Sequence, residues 1–280
     1  MPPVAERVRT LAATSAVVRV TVDGAPSPAT GGVDERGRPV LLVRAGEPLH
    51  RLRDDAVVAV NLTATRRLGE AEHPRGLLEV QGWAQAVPVE EARAAAVAVA
   101  ARSADEGLFA ALERYGEPSA PRLLRLDVAQ VVYLTGQESG VLDADEYLDA
   151  RPDPLTETAE RVLAHVNEAH RAQLANGVAA LLGEPALMGQ GRGHDGRPGG
   201  PGRSGAIGTG DPAAGAPGAG APGVGAPGVG AGRGEVWLWE LDSHGATVRV
   251  DDDLVRFPWP ARVGTGQDLE AALRGLMCTC

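Results

Sequence analysis

Two hydrophobic periods divide the chain. Over the first 135 residues apolar side chains recur at alternate positions or in short β-branched runs, which is the pattern of half-buried strands. After an opening amphipathic segment, AERVRTLAAT, come SAVVRVTV, RPVLLVR, DAVVAVNLTA and RGLLEVQGWAQAVP, separated by polar and turn residues such as DGAPS. An alanine-rich stretch at 89–116 interrupts them with high helix propensity, and PRLLRLDVAQVVYLTG returns to strand. Successive short strands without long helices between them predict an antiparallel barrel with one helical excursion.

From residue 153 the period changes. DPLTETAERVLAHVNEAHRAQLANGVAALLG predicts one long helix, with Asp153 as N-cap, Pro154 at the first helical position and Gly183 at the C-cap. Further on, EVWLWEL, ATVRV and LVRFPW predict three short strands, and GQDLEAALRGLM a closing helix. Residues 189–234 hold 19 of the 37 glycines and repeat GAPGV-like units with a period of five, which is not the three-residue period of collagen. With almost nothing to bury, that stretch is expected to be a disordered insert. The organisation predicted is therefore a barrel over 1–135, a joint over 136–152, and a small α+β domain formed by 153–188 and 235–280.

Composition narrows the chemistry. All 27 basic residues are arginine, so a pyridoxal-phosphate Schiff base, a P-loop lysine and a lysine nucleophile are excluded. A net charge of −10 argues against a nucleic-acid partner. No apolar run is long enough to span a bilayer, and the charged N-terminus is unlike a secretory signal, so a soluble cytoplasmic protein is expected. Cys278 and Cys280 sit too close together to staple a fold, and two thiolates make only half of a tetrahedral metal site. No nucleophile–base motif and no dinucleotide fingerprint is present.

Histidine and arginine supply the remaining candidates. In HVNEAH, His165 and His170 are five residues apart, so on a continuous helix they project about 140° apart and cannot chelate one ion. His170 falls on the apolar stripe Val162, Val166, His170, Leu174, Val178, which predicts a packed, hydrogen-bonded side chain. In EPLHRLRDD, His50, Arg51 and Arg53 follow a strand and could hold a phosphate or carboxylate, with Asp54 and Asp55 offering a charge-balanced turn as the alternative. The pair Arg66 and Arg67, near His73 and flanked by Glu70 and Glu72, reads as surface charge.

Three stretches carry a resemblance. EPLHRLRDDAVVAVNL, RGLLEVQGWAQAVPVEEA and above all PDPLTETAERVLAHVNEAH resemble haem-utilisation proteins of the HugZ/HutZ type. Those join a pyridoxamine-phosphate-oxidase-like split barrel to a small α+β domain whose first helix carries HMNxDH. Asp153, Pro154 and Leu155 match the opening of that helix, and His165, Asn167 and His170 match its motif. Ala169 stands where the aspartate is usual and Val166 where the methionine is, which removes a carboxylate that could orient a histidine. The chain also ends LRGLMCTC, without the histidine that relatives place near their C-terminus.

The resemblance implies a homodimeric split barrel that binds haem or another tetrapyrrole, with haem utilisation or breakdown as its role. On that reading His170, His165 or a terminal thiolate would ligate the iron, Asn167 would belong to the same site, and His50, Arg51 and Arg53 would meet the propionates. Flavin mononucleotide is the alternative cofactor, held through its phosphate by arginine alone. The third expectation is a non-catalytic regulatory module, like the chloroplast protein of similar architecture that binds glutamyl-tRNA reductase.

Overall fold

The computed structural model describes residues 1–51, 56–183 and 235–278. The glycine-rich insert, Arg53 and Cys280 lie outside the described residues.

The alternating pattern of the first part becomes an eight-stranded antiparallel sheet. Its elements are α1 (Val4–Thr14), β1 (Ala16–Val22), β2 (Ala25–Pro28), β3 (Thr30–Val33), β4 (Pro39–Val43), a 3-10 turn (Pro48–Arg51), β5 (Ala56–Leu68) and β6 (Ala71–Ala86). These are followed by α2 (Ala92–Ala100), α3 (Gly107–Glu113), β7 (Arg122–Thr135), β8 (Ser139–Asp143) and α4 (Ala144–Asp149). The strand order is β2-β1-β5-β6-β7-β4-β3, with β8 beside β7, and β1 comes back toward β3 so that the sheet curls into a half-barrel. Val60, Leu62, Leu78, Val80, Leu126 and Val131 face inward, and α1 covers them with Val8, Leu11 and Ala12. Both α2 and α3 lie outside the sheet in a separate cluster with Val40, Leu42 and Leu123.

The stretch 136–152, read from the sequence as a joint, carries β8 and α4. β8 pairs with β7, and α4 sends Tyr147 into the core, where its hydroxyl donates to the Gly37 carbonyl at 2.8 Å. The strand SGVLD is too short to announce itself by period, and only its pairing with β7 defines it.

The second unit is a three-stranded sheet, β9 (Val236–Asp242), β10 (Gly245–Val250) and β11 (Asp253–Pro258), in the order β11-β10-β9. Three helices pack on it: α5 (Thr156–Ala169), α6 (Arg171–Leu182) and α7 (Gly266–Met277). Leu163, Val166, Leu174, Val178, Leu238, Val248, Leu269 and Leu273 form its core. α6 and α7 meet closely at Gly177, where a Cβ would lie 2.1 Å from the Leu276 carbonyl oxygen, so this crossing requires glycine. Gly183 ends α6 in the left-handed conformation, as its position predicts. At the other end Asp153 does not cap α5 directly. Its carboxylate accepts from the Leu155 amide at 2.8 Å and from the Ser243 amide and hydroxyl at 3.0 and 2.6 Å, tying the helix approach to the β9–β10 turn.

The long β5–β6 hairpin links the two units: Leu68 near its tip packs with Trp237, Trp239 and Leu254. Among the described residues no helix is long and apolar enough to cross a membrane.

Candidate functional site

The predicted single helix is two helices, and the division falls at His170. That residue has φ −127° and ψ 17°, outside the helical range, and is at once the end of α5 and the start of α6. Neither glycine nor proline occurs between Thr156 and Asn176, so nothing local stops the helix. The break accompanies tertiary packing: both α5 and α6 lie against β9, and α6 crosses α7 closely at Gly177. The 140° separation expected for a continuous helix is therefore lost, and the rings of His165 and His170 stand with centroids 4.9 Å apart, nearly perpendicular.

His170 is also not a packed core group. It is half-buried, His165 is exposed, and neither ring makes a hydrogen bond among the described residues. Both line an open cavity of about 410 Å³ between α5 and α7, within the usual size range for small-molecule sites. Val162 and Val166 on α5 and Leu273 and Met277 on α7 give it an apolar lining, while Arg161, Glu270 and Arg274 are its charged members. An apolar groove holding two accessible imidazoles fits a haem, whose iron takes an imidazole ligand and whose macrocycle needs apolar cover. A bare metal ion fits less well, since among the described residues no group of three or more His, Cys, Asp or Glu is placed to hold one. Cys278, just past Met277, is exposed and free.

The other sequence candidates do not join this groove. Asn167 faces away from it: its side-chain amide donates to the Leu238 carbonyl at 2.9 Å and its oxygen accepts from the Leu238 amide at 2.8 Å. That exchange satisfies the outer edge of β9 and engages one donor and one acceptor of the Asn167 amide. His50 lies in the first unit, its Nε2 2.9 Å from the Ala120 carbonyl oxygen, and lines a separate cavity of about 380 Å³ with Tyr115 and Arg122. Arg51 is exposed at the end of the same 3-10 turn. Within one chain, His50 and Arg51 are thus not partners of the His165–His170 groove.

The surface-charge reading holds for exposed Arg67 and fails for Arg66. Arg66 is buried rather than a surface charge, as is Arg75, and both reach Glu160 on α5, at 2.7 and 3.0 Å; Arg75 also meets Glu240 on β9 at 3.0 Å. Burial, with Arg75 alongside, pushes the Arg66 guanidinium down to about 10 despite the pull of Glu160. This cluster fastens the hairpin to the second unit. Its sequence signal was the strand alternation itself, which places Arg66 on the same inward-facing row as Ala64 and Leu68.

No family model and no curated protein matches the chain. Solved structures do. A haem-binding protein from Mycobacterium smegmatis superposes with a TM-score of 0.56 at 21% identity, over 99% of this chain and 97% of that one. A protein of unknown function from Agrobacterium tumefaciens aligns over 99% and 98% of the two chains at 17% identity, with a TM-score of 0.37. An FAD- and haem-binding protein from M. smegmatis aligns with 49% of this chain and 80% of its own at 20% identity, with a TM-score of 0.32. The first of these shares the fold, an antiparallel half-barrel joined to a small α+β unit.

Proposed function

We propose that this protein binds haem, or a closely related tetrapyrrole, in the groove between α5 and α7, with His170 or His165 as the iron ligand. The observation that carries this reading is the pair of imidazoles 4.9 Å apart, without hydrogen bonds among the described residues, beside an apolar wall. The haem-binding M. smegmatis protein of the same fold supports it at the level of the fold. When bound, haem supplies redox-active iron. The chain supplies an imidazole for the iron, apolar contact from Val162, Val166, Leu273 and Met277, and partial exclusion of water.

The test is a haem titration of the purified protein followed through the Soret band. A saturable band that is shifted or lost in His170→Ala or His165→Ala is expected, and the variant that loses it names the ligand. A parent protein that gives no band overturns the proposal. A role in haem breakdown, as opposed to carriage, would appear as loss of the bound band on adding a reductant in the presence of dioxygen. Yellow protein on purification would select flavin mononucleotide instead, and absence of both chromophores would favour the regulatory module.

The homodimer belongs to the same reading and is supported by the outer face of the half-barrel. Leu77 and Leu134 are cross-strand partners there, as are Val132 and Val141, and all four are exposed. A strip of paired aliphatic side chains in water is the kind of surface that a second copy covers.

A further inference from the structure

We propose that Arg161 and Arg274 bind the carboxylates of the ligand in the α5–α7 groove, so that the site selects tetrapyrroles bearing free propionates. This inference rests on the haem reading above and supplies the anion partners that His50 and Arg51 cannot provide from another cavity.

The groove's charge runs against that of the protein. The whole chain carries −10, yet the cavity is lined by two arginines and one acid, Glu270, with two histidines beside them. Arg161 lies one turn before His165 on α5, and Arg274 lies three residues before Met277 on α7, so each helical wall contributes one guanidinium.

Both arginines are available. Arg274 makes no side-chain hydrogen bond or ion pair among the described residues, even with Glu270 one turn away on α7. Arg161 has only a long contact, 3.4 Å, to the Thr158 hydroxyl. Both are exposed, so binding an anion requires no release of a buried partner. The planar guanidinium matches a carboxylate with two parallel N–H donors, and an apolar wall between two such forks suits a flat apolar ring that is acidic at its edge.

The experiment is a Soret titration of the full chain with haem and with haem dimethyl ester, at low and high salt, for the parent, Arg161→Gln, Arg274→Gln and the double variant. In the parent, haem affinity should fall as salt rises, because the contacts are exposed. Each substitution should weaken haem binding roughly two- to fivefold, the range for an exposed ion pair. The double variant should lose most of the salt dependence while the Soret position stays at its parent value, since the iron ligand is untouched. Ester binding should respond neither to salt nor to these substitutions. Haem binding by the double variant with the parent's affinity and salt dependence overturns this inference alone. Absence of a Soret band in the parent overturns the haem reading and this inference together.

Discussion

Asn167 on α5 and Leu238 on β9 exchange two hydrogen bonds, of 2.9 and 2.8 Å, through which one side-chain amide takes the place of a neighbouring strand. β9 is an edge strand, and its outward peptide groups at Leu238 would otherwise lack partners under α5. The asparagine of the HVNEAH motif therefore belongs to the frame of the second unit, and the two histidines belong to its groove.

Replacing it should separate those roles. Asn167→Ala is expected to cost about 1–3 kcal/mol by leaving the Leu238 amide and carbonyl unpaired. Urea unfolding with an unchanged m-value would measure it. Haem affinity per folded molecule should stay at the parent value, and a selective loss of haem binding without loss of stability would return Asn167 to the site.

Glu160 stands between two buried guanidiniums, those of Arg66 and Arg75. Glu160→Gln should destabilise by roughly 1–3 kcal/mol, less than for a fully buried pair because its side chain is 42% exposed. Thermal unfolding beside the exposed control Glu168→Gln checks this, and equal melting temperatures for the two variants would deny the cluster its fastening role.

Tyr147 gives an alkaline signature. Burial pushes its phenol above the ordinary range, with Arg9 opposing. The unfolded chain ionises this group near about pH 10 while the native state keeps the proton, so its contribution is complete below that pH and is lost as pH rises through the native value. Of the chain's three tyrosines, Tyr147 should contribute a phenolate absorbance step delayed until the fold opens, and Tyr147→Phe should remove that step. A step that persists in the variant would place the delayed ionisation elsewhere.

Leu134 sits on the outer sheet opposite Leu77, 53% exposed in the single chain. If two copies meet there, Leu134→Asp should convert a dimer to a monomer, since burying an unpaired carboxylate is far costlier than burying leucine. Light scattering decides: a parent already of one-chain mass, or a variant that stays dimeric, counts against this face.

Much of the architecture was legible in the chain. The β5 alternation, the β-branched runs of β1 and β4, the three C-terminal strands and the helices α1 and α7 follow from local period and propensity, which act within a few residues. β2 and β3 were not legible, because four-residue segments of proline, serine and glycine have no strand pattern of their own and are defined by pairing with β1 and β4. β8 and α4 were missed for the same reason.

Of the site, the sequence by itself determined which residue types are present: a lysine-free chain, two histidines in one helical stretch, and apolar positions in register around them. It could not determine that they share a cavity. The break at His170 has no local stop signal and accompanies the close α6–α7 crossing at Gly177, the arginines of the groove come from helices more than a hundred residues apart, and the burial of Arg66 depends on Glu160 from the other unit. Periodicity reports one element's own face, whereas a groove, a helix break without a stop signal and a buried ion cluster are each set by a second element that the local pattern does not contain.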